Sequence, residues 1–176
     1  FENTMIPDTS WLYNGDYISS IDMMYLNNWT FSDNVFKNIR GANGGGRGAI
    51  FIWNQSRNII VERNKFTECD RSIAFGNPSE PTYYEPGTLH NYDGIIRNNF
   101  IVPGTKHGKG IEIVWAENIQ VCNNTIFAYD TNYLAIHYFQ KINRLFLANN
   151  LVQGRITGEG DEVTIEHNLT GNLDGY

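Results

Sequence analysis

The sequence predicts an all-β chain wound as a parallel β-helix, and three observations carry that reading. An apolar phrase closed by asparagine returns six times, at "FSDNVF", "VERNKF", "IRNNFI", "VCNNTI", "LANNLV" and "IEHNLT". A second strand-like run precedes several copies, and no stretch of any length has helical periodicity. Short strands repeated about every 25 residues without helices are the signature of stacked coils.

The asparagine common to all copies is Asn34, Asn64, Asn99, Asn124, Asn150 and Asn168, in steps of 30, 35, 25, 26 and 18 residues. A constant phrase with a varying step means fixed strands joined by loops of different length. Before each asparagine apolar residues alternate, as in Ile59 and Val61, Ile119 and Val121, or Leu145 and Leu147. The preceding strands are "AIFIW" from Ala49, "SIAF" from Ser72, "GIEIVW" from Gly110 and "YLAIHY" from Tyr133. A turn asparagine stacked on its copies can bond its amide to the neighbouring coil, and asparagine tolerates left-handed backbone at a sharp bend. The six asparagines are therefore expected to form a structural ladder. The extra asparagines Asn98, Asn123 and Asn149 are expected to face solvent.

The chain of 176 residues is long enough for one domain with a core, and 41% hydrophobic against 18% charged residues describes a folded chain. Residues 1–26, with Trp11, Tyr13 and Tyr17, read as a partial coil or cap, and 27–176 as the repeats. A net charge of −6 argues against nucleic acid or an anionic membrane as partner. No apolar run is long enough to span a membrane. Cys69 and Cys122 fit no metal motif and are expected to be buried free thiols. The start at Phe1 reads as a mature or trimmed piece of something longer.

The run "NNWTFSDNVFKNIRG…GAIFIW…RNIIVERNKFTECDRSIAFGN…GIIRNNFI…ANNLV" resembles the secreted right-handed parallel β-helix proteins of the pectate-lyase-like superfamily, over about Asn27 to Asn172. The resemblance implies a right-handed helix of about six coils with irregular ends, and a secreted or cell-surface location. It also implies a polysaccharide partner lying along one sheet, and leaves room for further domains or a homo-oligomer. That superfamily contains lyases, hydrolases, epimerases, tailspikes and adhesins, so the fold does not select the chemistry. "HGKG" at His107 is similar to a polygalacturonase turn, but the accompanying aspartates are missing. The resemblance leaves calcium open as a cofactor; Asp93 alone is not a calcium cluster, and no metal ligands are assigned.

Strand alternation nominates an outer face. If Ile50, Ile52, Ile73, Phe75, Ile111, Ile113, Leu134 and Ile136 point inward, then Phe51, Trp53, Ala74, Glu112, Ala135 and His137 point outward. Trp115 and Tyr138 fall just beyond, at the strand ends. Such aromatics suit sugar rings. Charged residues gather at the strand starts: Arg47, Asp70 with Arg71, and Lys106, His107 and Lys109. A lyase acting on a uronic acid polymer needs a carboxylate neutraliser, a base and an acid. Arg71, Lys109 and His137, with Glu112 as a possible acid or base, are the candidates. A hydrolase needs two facing carboxylates, for which Asp70 and Glu112 are the best pair. Phe51, Trp53, Trp115, Tyr138, Arg47 and His107 are the expected substrate contacts, joined by Tyr83 and Tyr84 from the long insertion "NPSEPTYYEPGTLHNY". "GANGGGRG" at Gly41–Gly48 reads as a flexible glycine turn, not a phosphate loop. The rival expectations are a non-catalytic glycan-binding module and a structural spacer or fibre subunit.

Overall fold

A computed structural model describes residues 1–81 and 88–172. These residues form parallel β-structure, and the one helical element is a single 3-10 turn, Leu12–Gly15. The strands follow one another as β1 (Ser19–Met24), β2 (Asn27–Ser32), β3 (Val35–Lys37), β4 (Gly48–Trp53), β5 (Ser56–Glu62) and β6 (Lys65–Cys69). Then come β7 (Arg71–Phe75), β8 (Asn91–Arg97), β9 (Phe100–Pro103), β10 (Lys109–Cys122) and β11 (Thr125–Phe127). The chain finishes with β12 (Leu134–Ala148), β13 (Leu151–Gln153), β14 (Arg155–Gly158), β15 (Asp161–Glu166) and β16 (Leu169–Gly171).

Each strand pairs in parallel with the strand one repeat later. β1, β4, β7, the first half of β10, the first half of β12 and β14 lie side by side. So do β2, β5, β8, the second halves of β10 and β12, and β15. β3, β6, β9, β11, β13 and β16 make a third row. This pairing is compatible with a solenoid.

In-register stacking turns each sequence position into a row of equivalent side chains. Ile21, Ile50, Ile73, Ile111, Ile136 and Ile156 form one continuous inner row. Fully burying each such isoleucine contributes about 1.5–3 kcal/mol. Phe36 and Phe66 stack at 4.9 Å on the third row, and Phe1 stacks on Phe36 at the same distance. Gly94 leaves room in its row for the Phe75 ring, which a Cβ there would meet at 2.6 Å.

The asparagine ladder forms as expected. At every step the backbone N–H and the Nδ2 of one asparagine both donate to the Oδ1 of the next, at 2.8–3.1 Å, from Asn34 through Asn168. From Asn64 onward Nδ2 also donates to a carbonyl of the preceding repeat, as in Asn124 to Ile96 O at 3.0 Å. One part of the expectation is corrected. The left-handed backbone belongs to the residue before the ladder, at Asp33, Arg63, Asn98, Asn123, Asn149 and His167, all with φ of 51–60°. In "NN" the first asparagine makes the bend and the second makes the ladder. The first is exposed, as expected of Asn98, Asn123 and Asn149.

The inward assignments hold for the isoleucines, Ile136 included, and for Phe75, but not at the first residues of β12. Ala135 lies in the core, while Leu134 is half-buried in the row of Arg71 and Lys109, because the register with β14 shifts there. Tyr138 also belongs to the core, level with Ile113 and Phe75. Both cysteines are free; Cys69 is buried and Cys122 half-buried.

Asn124→Ala would leave the Asn99 N–H and Nδ2 without their acceptor. It should lower stability by on the order of 3 kcal/mol or more in urea unfolding. Asn123→Ala should cost only about 1 kcal/mol, the left-handed strain alone, and Asn123→Gly should cost less still.

Candidate functional site

The row beside the isoleucines carries Asp22, Phe51, Ala74, Glu112, His137 and Thr157 across six neighbouring strands. Its members share one face, as alternation predicts, but three of them are covered: Phe51, Ala74 and Glu112 are fully buried. The expectation that Phe51 offers an open ring to a sugar is therefore corrected. Phe51 stacks at 5.3 Å with Trp53, which is half-exposed, and acts as its support.

Glu112 collects three basic groups. Arg71 Nη1 lies 3.0 Å from Oε1, and Lys109 Nζ lies 2.5 Å and His137 Nδ1 4.0 Å from Oε2. Parallel register makes this meeting: Arg71 and Lys109 are level on β7 and β10, and Glu112 and His137 are level on β10 and β12. Burial would push the Glu112 carboxyl up, but His137, Arg71 and Lys109 together overcome it and hold the group at about 2. Arg71 and Lys109 occupy the two carboxylate oxygens, while Arg71 Nε is buried without a hydrogen bond to a described residue. The cluster thus retains bonding capacity at a site where Arg and Lys outnumber the carboxylate.

A cleft of about 510 Å³ opens next to it, lined by Tyr13, Tyr17, Arg47, Trp53, Glu80 and His90 among others. Arg47 joins the two places, because its carbonyl accepts from Arg71 Nη1 at 3.0 Å. The glycine segment before Arg47 is expected to be flexible, yet two carboxylates tie it down. Asp16 Oδ1 accepts from Asn43 N and Gly45 N, at 3.0 and 3.3 Å, and Asp70 Oδ2 accepts from Gly41 N and Gly46 N, at 2.7 and 3.1 Å. A Cβ on Gly41 would meet Asp16 Oδ1 at 2.3 Å, so glycine is required there for close approach. Arg47 N donates to Ile18 O at 2.9 Å, which completes the mount. The guanidinium then lies over Tyr13 and Tyr17, at 5.5 and 5.2 Å from the ring centroids.

Asp70 is accordingly a buried loop anchor. Burial raises its pKa, against the pull of the Gly41 and Gly46 amides, Arg40 and Thr105. Trp115 sits at a bend with φ 51°, and its indole N–H is buried without a hydrogen bond to a described residue. Tyr138, expected at the surface, is in the core. His107 is exposed on the turn before β10, and neither the Glu112 ion pairs nor the cleft lining includes it. Tyr83 and Tyr84 lie outside the described residues.

Alternation did not bring out Asp22, Asp16, Glu80 or His90. Asp22 was within reach, because "SIDMM" alternates like the later strands and sets Asp22 in the row of Phe51. Asp22 Oδ1 accepts from Trp53 Nε1 at 2.9 Å. His90 Nδ1 accepts from Asn54 N at 3.2 Å while Nε2 donates to Ser79 O at 2.9 Å, which fixes a neutral tautomer. Burial holds its pKa below the usual value.

No family model, curated protein or solved structure matches the chain. Among the described residues no group of three or more His, Cys, Asp or Glu side chains is placed to hold a metal ion. No helix among them is long and apolar enough to cross a membrane.

The Glu112 pKa fixes a pH dependence. A carboxyl at 4.5 when unfolded and about 2 when folded adds stability above pH 4.5, which is lost as pH falls from 4.5 towards 2. The contribution is about 3 kcal/mol. Glu112→Gln should be less stable at neutral pH and should show a flatter loss of stability across that window, read by denaturant unfolding at successive pH values.

Proposed function

We propose that the chain is a right-handed parallel β-helix of about six coils, of the pectate-lyase-like kind, secreted or held at the cell surface. We propose further that it acts as a lyase on an acidic polysaccharide. The observation that carries this reading is the convergence of Arg71, Lys109 and His137 on one ionised, buried Glu112. Composition alone gives no reason for three basic groups to meet in a chain of net charge −6.

In the proposed reaction, Arg71 and Lys109 pair with the uronate carboxylate and stabilise the charge that develops on it. His137 in its neutral form takes the C5 proton. The electron pair left behind forms the C4–C5 double bond, the C4–oxygen bond breaks, and the departing oxygen takes up a proton from solvent water. Glu112 is fully buried and strongly acidic, which suits it poorly to exchange protons near neutral pH; it is a positioning residue that holds the cations in place. The aromatic cleft favours a second reading, a glycan-binding module without catalysis.

One incubation series decides between them. A panel of acidic and neutral polysaccharides, with and without calcium, is followed by ultraviolet absorbance of unsaturated sugar and by release of reducing ends. A lyase gives both signals, and Arg71→Ala, Lys109→Ala and His137→Ala should each lower kcat/KM by on the order of a hundredfold. Reducing ends without absorbance would replace the lyase by a hydrolase. Silence across the panel, with saturable binding to one glycan, would leave the binding module.

A further inference from the structure

The cleft beside the cationic cluster has a charge balance of its own. Among the described residues, its charged groups are Arg47 and Glu80 on the walls, with Asp22 behind the Trp53 indole. Counting Asp22, one cation is set against two carboxylates among these residues, the reverse of the balance around Glu112. The Arg47 guanidinium is already laid over two tyrosine rings. His90 adds no charge, since both its ring nitrogens are engaged in the neutral form.

The geometry is costly to build, which points to use. Tyr13 holds φ 53° and Asn14 φ 58°, a left-handed pair in which a bulky tyrosine is strained. The 3-10 turn that carries them brings the Tyr13 ring to 5.4 Å from Tyr17. Tyr13 is nevertheless 61% exposed, so burial does not repay the strain. The indole of Trp53 is held by its bond to Asp22, the Phe51 ring beneath it and the edge of His90 at 5.9 Å. The result is a set of fixed aromatic faces ringed by Arg47, Glu80, Asn54 and Asn77, which suit hydroxyl groups.

We infer that this cleft is a subsite for an uncharged sugar, with stacking on Trp53 and the two tyrosines and hydroxyl bonds to Glu80 and Arg47. The inference rests on the acidic-glycan reading for its neighbour and sharpens the substrate class: a heteroglycan in which neutral sugars adjoin acidic ones, rather than a homopolymer of uronic acid. Phe51 and Glu112 are two strand spacings apart, roughly 10 Å, so one short glycan segment can reach both places.

Calorimetric titration of the full chain tests this with cellobiose, maltose and N,N′-diacetylchitobiose against digalacturonate and dimannuronate. At least one neutral disaccharide should bind, with little dependence on salt. Lys109→Ala should preserve that binding, and Trp53→Ala should abolish it. The exposed Tyr13→Ala should weaken it, which keeps the test valid should Trp53→Ala fail to fold. Glu80→Gln should raise uronate binding relative to neutral binding. Uronate disaccharides bound more tightly than neutral ones and weakened by Tyr13→Ala would overturn the inference, as would no neutral disaccharide binding at all. A chain that cleaves nothing yet binds neutral disaccharides at Tyr13 defeats the lyase alone. One that cleaves polyuronates and ignores neutral sugars defeats this inference alone.

Discussion

Everything in this molecule depends on the parallel, in-register stacking of repeats, and the asparagine ladder is the interaction that fixes the register. Each of the four inner ladder amides accepts two hydrogen bonds from one neighbour and donates towards the other, so a slip of a single residue would break the whole line. Buried amides left unpaired are expensive, which is why a polar residue can specify an apolar core. The Ile21–Ile156 row and the stacked phenylalanines add area to a register the amides have already set.

Stacking also explains how a site arises on a repetitive scaffold. Parallel register places unlike residues from distant sequence positions level with one another. Glu112 meets His137 because their strands are neighbours, and Arg71 meets Lys109 for the same reason. Ala74, the small member of the row, separates the aromatic end at Phe51 from the charged end at Glu112. One face thus holds two environments of opposite electrostatic character.

Asp16 and Asp70 convert a run of glycines into a rigid support for Arg47. The glycines serve close approach to these carboxylates, and at Gly41 a side chain has no room. Rigidity of this kind lowers the entropy lost when a ligand is bound, which is how a glycine-rich segment can serve recognition.

The sequence by itself determined the all-β class, the absence of long helices, the ladder asparagines and most inward positions, because these follow from local alternation and from a phrase that repeats. It also named Glu112 and His137, since a strand's odd and even residues must take opposite faces, and Arg71 and Lys109, as charged residues at the starts of neighbouring strands. Tertiary structure decided what alternation cannot express. Phe51 and Glu112 point away from the core and are buried all the same, Ala135 turns inward where a register shift changes the count, and Tyr138 continues the inward row of Ile136 at a point where a strand end was expected. The roles of Asp16 and His90 came only with the fold, because their partners lie 11 to 36 residues away and no local pattern links them. Period-two alternation assigns a side chain to a face, but the neighbours that cover that face come from other parts of the chain.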